Sequence, residues 1–409
     1  MLTPDFIRGY FRCFPMGSGP LRAGFGRGWS HRKQRSQFMQ LPCVRKGDNR
    51  QVKTLRLFVD PDGIDTTSSQ EALDRGAQIL RGGGLVALPT ETVYGLGANA
   101  LDAEAVGRIF AAKQRPAWDP VIVHVADMAM VEQLVTGIPA AARKLMEAFW
   151  PGPLTLLLPR SSAVPDVVTA GRALVGVRMP AHQVALELIS RAGVPVAAPS
   201  ANIFAHTSPT TAAHVLDDLD GRIDAVLDAG PTWHGVESTV LDPGQTPMIV
   251  YRPGAVTAQQ IRETAGAVEV FQSANRRVDG PQSALPSPGV GLRHYAPRAQ
   301  LVLVGASRES LGMRLNETAR EISGRRVGVM LPSGIGLEAA QLSRPGLIVH
   351  PWGSWDAPEE LARNLYAGLR ALDAKGCDIV LCPVPRADGV GAAIRDRLFK
   401  ACQAGNKGQ

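Results

Sequence analysis

One stretch, residues 81–125, constrains the fold more than any other part of the chain. A glycine triplet followed by an apolar run predicts a strand at 85–88. Asp102 is typical of a helix N-cap, and apolar side chains then recur at helical spacing until a proline forbids continuation. A second apolar run predicts a strand at 121–125. The stretch therefore predicts a strand–loop–helix–loop–strand unit, which is typical of an α/β sheet.

The two loops of this unit carry polar side chains. Thr90 and Thr92 follow the first strand, and Lys113 and Arg115 stand where the helix ends. Lysine and arginine are the side chains that neutralise phosphate, and hydroxyls donate to small polar ligands. The unit therefore predicts a site for a phosphate and a small polar molecule.

The net charge of +7 belongs to one segment. Residues 1–50 hold ten Lys/Arg and two Asp, a balance of +8, so residues 51–409 carry −1. This acid-poor beginning lacks apolar periodicity, and we predict either a disordered basic extension over residues 1–55 or a translation start placed too far upstream, with Met39 as the true start. A transit-like or nucleic-acid-binding tail is the alternative interpretation. The near-neutral remainder gives no electrostatic reason to expect nucleic acid.

Composition also excludes several classes of protein. No run of about 18 apolar residues exists, so no membrane span is expected. The five cysteines contain no CxxC pair and the eight histidines no ligand spacing. Disulfides and structural metals are therefore not expected, and the cytoplasm is the predicted compartment.

The order of predicted elements divides the chain further. Strands and helices mix over residues 66–257, which predicts one α/β domain with a twisted mixed sheet. Residues 258–298 hold a helix end and a Pro/Gly-rich linker. Strands alternate regularly with helices over residues 299–409, which predicts a small doubly wound parallel sheet.

Polar side chains recur at predicted strand ends, where open α/β sheets bind ligands. Alone, each would be an ordinary surface charge or turn hydroxyl, so only their joint occurrence carries weight. No Ser-His-Asp order, nucleophile elbow, Walker A loop or paired carboxylate accompanies them. This pattern favours direct attack of one substrate on a nucleotide phosphate, with the protein supplying positioning and charge. The side chains are Lys113, Arg115, Arg178, Ser200, Asn202, Ser238 and Arg252.

Seven short motifs stand in one order along the chain: PTETVYGLG, KQRP, WPGPLT, VGVRMP, APSAN, GVESTV and RPG. Through them residues 69–257 resemble the YrdC/Sua5 family of L-threonylcarbamoyladenylate synthases. The segment SPGVGLRHYAP and the C-terminal unit resemble the long, two-domain Sua5 form. The resemblance implies a YrdC-like domain joined by the linker to a Rossmann-like domain.

The same resemblance implies a nucleotidyltransferase reaction. The amine of L-threonine is carboxylated by bicarbonate, and the carbamate attacks the α-phosphate of ATP and expels pyrophosphate. Mg²⁺ accompanies ATP through its phosphates, without a metal site on the protein. The product would pass to tRNA threonylcarbamoyl-transferase machinery that modifies position 37 of ANN-decoding tRNAs, with weak or indirect tRNA contact by this chain.

The resemblance also implies roles for individual residues. Asp119 stands where the family usually has Asn, and Tyr295 lies in a linker segment, 283–298, that we expect to close over the site. The implied catalytic residues are Lys113, Arg115, Ser200 and Asn202. The implied ATP contacts are Lys113, Arg115, Asp119, Leu174, Ser200, Asn202, Ser208, Arg252 and Tyr295. The implied threonine contacts are Thr92, His124, Arg178, Ala198 and Ser238.

Two other functions use a similar fold. A carbamoyl-adenylate-forming maturation enzyme would add an acylphosphatase domain and Cys-rich zinc repeats, and neither is present here. A double-stranded RNA-binding module would need a basic face, which the charge of residues 51–409 does not favour.

Overall fold

Two β-sheets form the framework of the part of the chain that the computed structural model describes, residues 53–271, 287, 289, 294–336, 341–342 and 344–404. The larger sheet has 11 strands and the smaller has 4. The predicted extension 1–55 lies outside the described residues except for its last three, and most of the linker lies outside them too.

The larger sheet is mixed, as predicted. β4 pairs with β6 in parallel, whereas β5 pairs with β6 antiparallel. The strand order is β1-β8-β2-β3-β7-β4-β6-β5-β9-β10-β11. These strands are β1 (Leu55–Phe58), β2 (Val86–Leu88), β3 (Gly95–Asn99), β4 (Ile122–His124), β5 (Leu154–Pro159), β6 (Leu174–Arg178), β7 (Val196–Ala197), β8 (Ala225–Asp228), β9 (Thr239–Asp242), β10 (Met248–Arg252) and β11 (Val268–Val270).

Helices pack their apolar sides on this sheet and share its core. Asp102 caps α2 as predicted, since its side chain accepts from the backbone N–H groups of Glu104 and Ala105. Thr257 and Gln260 form a capping box at the start of α8. The helices are α1 (Thr67–Arg81), α2 (Ala103–Lys113), α3 (Met128–Leu134), α4 (Ala140–Phe149), α5 (Asp166–Thr169), α6 (Gln183–Ala192), α7 (Ala212–Leu219) and α8 (Ala258–Ala265).

Strand β3 differs from the sequence prediction, which has a loop in this part of the PTETVYGLG motif. The structure pairs β3 antiparallel with β2, and Gly97 lies opposite Val86. A Cβ on Gly97 would lie 2.9 Å from side-chain atoms of both Leu88 and Val196. Glycine is therefore required by close packing at a position where its low strand propensity argues against a strand.

The larger sheet also extends on both sides of the predicted span 66–257. β1 pairs in parallel with β8, so that Leu55 lies opposite Ala225. β11 pairs in parallel with β10 after helix α8. Both added strands lie at the edges of the sheet.

The smaller sheet is entirely parallel, in the order β12-β15-β13-β14. Helices cover both faces, which confirms the predicted C-terminal fold class. Val329 faces the core beside α9, whereas its neighbour Met330 faces the core beside α10 and α11. None of the helices in the described ranges is long and apolar enough to cross a membrane. The elements are β12 (Gln300–Val304), α9 (Arg308–Glu321), β13 (Val327–Ser333), β14 (Ile348–Ser354), α10 (Pro358–Ala374), β15 (Ile379–Pro383) and α11 (Gly391–Ala404).

Candidate active site

A cavity of about 60 Å³ lies in the larger sheet where β4 and β6 end. It is small beside the roughly 300–1,000 Å³ typical of small-molecule sites. Nine of the predicted site residues line it, drawn from eight different strands and loops. They are Thr92, Arg115, His124, Arg178, Ala198, Ser200, Ser238, Arg252 and Tyr295.

Four of the remaining predicted residues contact the wall of this cavity from outside, and each is described below. The fifth, Leu174, does not. It starts the five-residue strand β6 that Arg178 ends, and its side chain packs with Leu157 and Val240. Its predicted ATP contact stays a prediction.

Lys113 connects the end of α2 to the APSAN segment. The side chain is 1% exposed, and its Nζ donates to the backbone carbonyl oxygens of Ser200 and Asn202. Burial, and then the charge of Arg115, lower the pKa of Lys113 well below its usual value. The lysine therefore fixes the backbone path beneath Ser200.

Arg115 is held by the turn that follows it. Its guanidinium donates to the carbonyl oxygens of Asp119 and Pro120 at 3.1 and 2.7 Å, and it pairs with the Asp119 carboxylate at 3.0 Å. Burial opposes a charge on Asp119, but Arg115 and His294 together lower the pKa of this carboxyl below its usual value. The aspartate that departs from the family pattern is thus compensated from both sides.

His124 and Arg178 end neighbouring parallel strands and lie opposite each other in register. Burial, and then the charge of Arg178, lower the pKa of His124 to about 3. The imidazole is therefore neutral near pH 7. Its Nδ1 is buried and has no hydrogen-bond partner among the described residues.

Arg178 is anchored by the 89–94 loop. One guanidinium nitrogen lies 2.6 Å from Oε1 of Glu91, and another donates to Oγ1 of Thr92 at 3.0 Å. Nε donates to the carbonyl of Gly152 at 3.1 Å. A guanidinium has five N–H donors, so Arg178 retains capacity for a ligand carboxylate.

Ser238 and Arg252 form another part of the cavity lining. The Ser238 hydroxyl lies 2.8 Å from that of Thr155 and accepts from Arg252 at 3.1 Å. Ser208 lies behind this part of the lining and donates to Glu237 at 2.6 Å. Burial opposes a charge on Glu237, but Arg397 and Arg252 lower its pKa to about 2.

Asn202 is buried beside Lys113. Its side-chain nitrogen donates to the carbonyls of Ile203 and His206 at 2.8 and 2.9 Å, which fixes the turn after Ser200. Ala198 donates its backbone N–H to Ile122 at 2.8 Å.

Tyr295, which lies in the linker, lines the cavity. It is buried, with a φ of 69° in the left-handed region that non-glycine residues seldom adopt. Burial, and then the charge of Glu237, raise the pKa of its hydroxyl to about 12. The next residue, Ala296, donates its N–H to the carbonyl of Ala205 at 2.9 Å.

Sequence reasoning missed three polar residues that shape this site. Glu91, Glu237 and His294 all contact predicted ligand-binding side chains. Each stands inside a quoted motif, so the signal was present. Glu237 and His294 also line the cavity, whereas Glu91 contacts it through Arg178.

The arrangement combines arginines, hydroxyls and a neutral histidine around one cavity. Within the described ranges no three His, Cys, Asp or Glu side chains cluster as a metal site. The cavity can therefore bind anionic groups at Arg115, Arg178 and Arg252, and orient a small polar molecule between them.

Two family models match the chain in succession. One, described as "Telomere recombination", matches residues 78–254. The other, described as "Threonylcarbamoyl-AMP synthase, C-terminal domain", matches residues 256–403.

Proteins similar to this chain cover most of its length. The "Threonylcarbamoyl-AMP synthase" of Pyrococcus abyssi is 43% identical over 328 residues, which are 80% of this chain and 92% of that relative. The protein of the same name in Bacillus subtilis is 42% identical over 353 residues, 86% of this chain and 98% of that relative. A solved structure, "Crystal structure of P. abyssi Sua5 complexed with L-threonine", is 41% identical with a TM-score of 0.76 and covers 86% of this chain and 98% of its own.

Proposed function

The chain belongs to the threonylcarbamoyl-AMP synthase family, and from that premise we propose that its cavity joins L-threonine, bicarbonate and ATP. The products are threonylcarbamoyl-AMP, pyrophosphate and water. The observation that carries this proposal is the convergence of two sets of side chains on one cavity. One set suits an amino acid and the other suits phosphates.

We propose that threonine binds between β4, β6 and Ser238. The remaining donors of Arg178 would take its carboxylate, and the Thr92 and Ser238 hydroxyls, the neutral His124 and the Ala198 backbone would bind its polar groups. The solved threonine complex of the Pyrococcus abyssi relative supports this choice of amino acid.

We propose that the ATP phosphates bind at Arg115, Arg252 and Ser200. Lys113, Asp119, Asn202 and Ser208 shape the wall behind them, and Tyr295 lies above. Mg²⁺ would enter with ATP and neutralise charge on its phosphates. The carbamate would then attack the α-phosphate directly, and the arginines would stabilise the charge that develops.

We further propose that the linker opens and closes over this site. Tyr295 and Gly289 of the linker line the cavity, so a movement of the linker would change the space available to the two substrates. A closed linker would exclude water from a carbamate and a mixed anhydride, both of which hydrolyse readily.

The cellular setting follows as a proposal from the product's chemistry. Threonylcarbamoyl-AMP is an activated acyl donor, and we propose that a transferase acting on tRNA consumes it in the cytoplasm. The near-neutral charge of residues 51–409 supports indirect contact with tRNA. Neither alternative function gains support from the fold or the relatives.

The test is the identification of the product. The full-length protein is incubated with ATP, L-threonine and labelled bicarbonate. The products are then separated by chromatography and identified by mass spectrometry. We expect labelled threonylcarbamoyl-AMP in equal amount to pyrophosphate. Label in carbamoyl-AMP, or none in any adenylate, would overturn the proposal.

A further inference from the structure

The loop between β8 and β9, residues 229–238, joins the two sheets. On one side its backbone fixes the 89–94 loop of the cavity. The N–H groups of Trp233 and His234 donate to the carbonyl of Glu91 at 3.1 and 2.8 Å, and that of Gly235 donates to the carbonyl of Thr92 at 3.1 Å. The position of the Thr92 hydroxyl therefore depends on this loop.

On its other side the 229–238 loop rests on helix α10. Gly235 has a φ of +67°, and a Cβ there would lie 2.5 Å from backbone atoms of Ala362 and Arg363. Arg363 donates to the carbonyl of Trp233 at 2.9 Å. Val236 is fully buried in the apolar cluster of the smaller sheet. The loop is thus packed against the C-terminal helices at backbone distance.

Glu237, near the end of the 229–238 loop, is bound by two side chains of the C-terminal helices. It accepts from the Tyr366 hydroxyl at 2.9 Å and from Nε of Arg397 at 2.7 Å. Its neighbour in sequence is Ser238, and its other partner is Ser208 in the loop between β7 and α7. A buried carboxylate needs such partners, because an unpaired charge at this depth is strongly unfavourable.

Arg397 also reaches the linker. Its guanidinium carbon lies 5.1 Å from the centre of the Tyr295 ring, and the Tyr295 and Tyr366 rings stack with centroids 5.9 Å apart. Arg397 is 1% exposed. One arginine of α11 therefore contacts both the carboxylate behind Ser238 and the tyrosine above the cavity.

We propose that Tyr366 and Arg397 of the C-terminal helices are positioning residues for the cavity. They act through Glu237 and the 229–238 loop, which set the places of Thr92 and Ser238. Neither lines the cavity, so neither is a catalytic residue. The proposal rests on the proposed function for naming threonine as the ligand that these two hydroxyls bind.

The first test uses Tyr366→Phe, which removes one hydroxyl and keeps the ring that stacks on Tyr295. We expect the KM for threonine to rise about tenfold while kcat stays within about threefold. Trp352→Phe is the control, since Trp352 lies in the same apolar cluster but donates to Leu361 within the C-terminal part. It should lower Tm and leave the KM for threonine unchanged.

A second pair of variants tests the charge. Arg397→Lys keeps a cation beside Glu237, whereas Arg397→Gln does not. We expect Arg397→Lys to recover a threonine KM several-fold below that of Arg397→Gln. Equal KM values in wild type, Tyr366→Phe and both Arg397 variants would overturn the proposal.

Hydrogen exchange separates this inference from the proposed function, because it needs no substrate. The amides of His234 and Gly235 should exchange about tenfold faster in Tyr366→Phe than in the wild type and in Trp352→Phe. A wild type that makes no threonylcarbamoyl-AMP would defeat the proposed function. Unchanged exchange in Tyr366→Phe would defeat the positioning role.

Discussion

Arg178 at the end of strand β6 and Arg308 at the start of helix α9 each hold a carboxylate oxygen at 2.6 Å. Arg178 and its partner Glu91 are 4% and 1% exposed, whereas Arg308 and Asp356 are 41% and 63% exposed. Distance is equal in the two pairs, so burial must decide what each pair does. Water screens the charges of the exposed pair. The buried pair is fixed in place, and removal of either partner would leave an unpaired buried charge at a high cost in free energy.

The cavities beside these pairs also differ in volume. The cavity at Arg178 measures about 60 Å³ and the one at Arg308 about 200 Å³. The ion pair beside the larger cavity is solvated, whereas the ion pair beside the smaller cavity is buried. The C-terminal part contributes to the cavity only indirectly at α10 and α11, whose buried Tyr366 and Arg397 donate to Glu237.

The largest difference should appear when the two arginines are removed. Arg178→Ala leaves Glu91 buried without its cation, so we expect the free energy of unfolding to fall by about 3–5 kcal/mol. Arg308→Ala should lower it by less than about 1 kcal/mol. Urea denaturation of the two variants measures both. Similar losses would show that burial does not separate the pairs.

Two lysine variants, one in each part of the molecule, extend the comparison to turnover and stability. Lys113→Ala removes donors from two buried carbonyls, and each unsatisfied group costs about 1–3 kcal/mol. Sequence reasoning alone predicts lost turnover with an intact fold, but the bonds of Lys113 predict lower stability as well. We expect turnover to fall by two orders of magnitude or more. Lys375→Ala, at an exposed lysine of the C-terminal part, should change neither turnover nor urea midpoint.

Local signals in the sequence were sufficient for much of this fold. Asp102 caps its helix as predicted, because capping depends on neighbouring residues alone. β3 was missed because Gly97 is required by side chains from two other strands. The same holds for the site, because short local motifs contain the residues that line the cavity. The partners Tyr366 and Arg397 lie more than 100 residues beyond Glu237, and no local pattern connects them.

Histidines extend the comparison to pH. The pKa of His124 is lowered to about 3 from 6.5, so between these values the unfolded chain binds a proton that the folded chain does not. Stability should therefore fall as pH decreases below 6.5, by about 2 kcal/mol at pH 5 from this group. His124→Gln should flatten the stability profile between pH 7 and 5. His350→Gln, at a half-buried histidine of the smaller sheet, should flatten it less.

Amino acid selection tests the threonine side of the cavity. Serine lacks the methyl group, and the lost burial is worth roughly 1 kcal/mol, so kcat/KM should fall about fivefold. Valine would leave a buried hydroxyl partner unsatisfied and should be rejected by more than 100-fold. Competition assays with labelled bicarbonate measure both ratios. Equal use of threonine and valine would exclude the proposed contacts of Thr92 and Ser238.

The smallest expected effect concerns the linker. ATP with threonine should slow hydrogen exchange at Ala296, whose N–H donates to Ala205, by severalfold. The exchange of β13 amides in the smaller sheet should not change, because no ligand is expected there. If the exchange rate at Ala296 is the same with and without ligands, the proposal that the linker closes over the site is wrong. The proposed synthase reaction would not be affected by that result.

We expect the chemistry to take place at the buried charges of the larger sheet. The rate of threonylcarbamoyl-AMP formation in two matched variants, Arg178→Lys and Arg308→Lys, tests this expectation most directly. Lysine keeps the charge but loses the forked geometry. We predict that Arg178→Lys forms product at least 100-fold more slowly than the wild type, while Arg308→Lys keeps the wild-type rate. Equal rates in the two variants, or a loss confined to Arg308→Lys, would contradict the account.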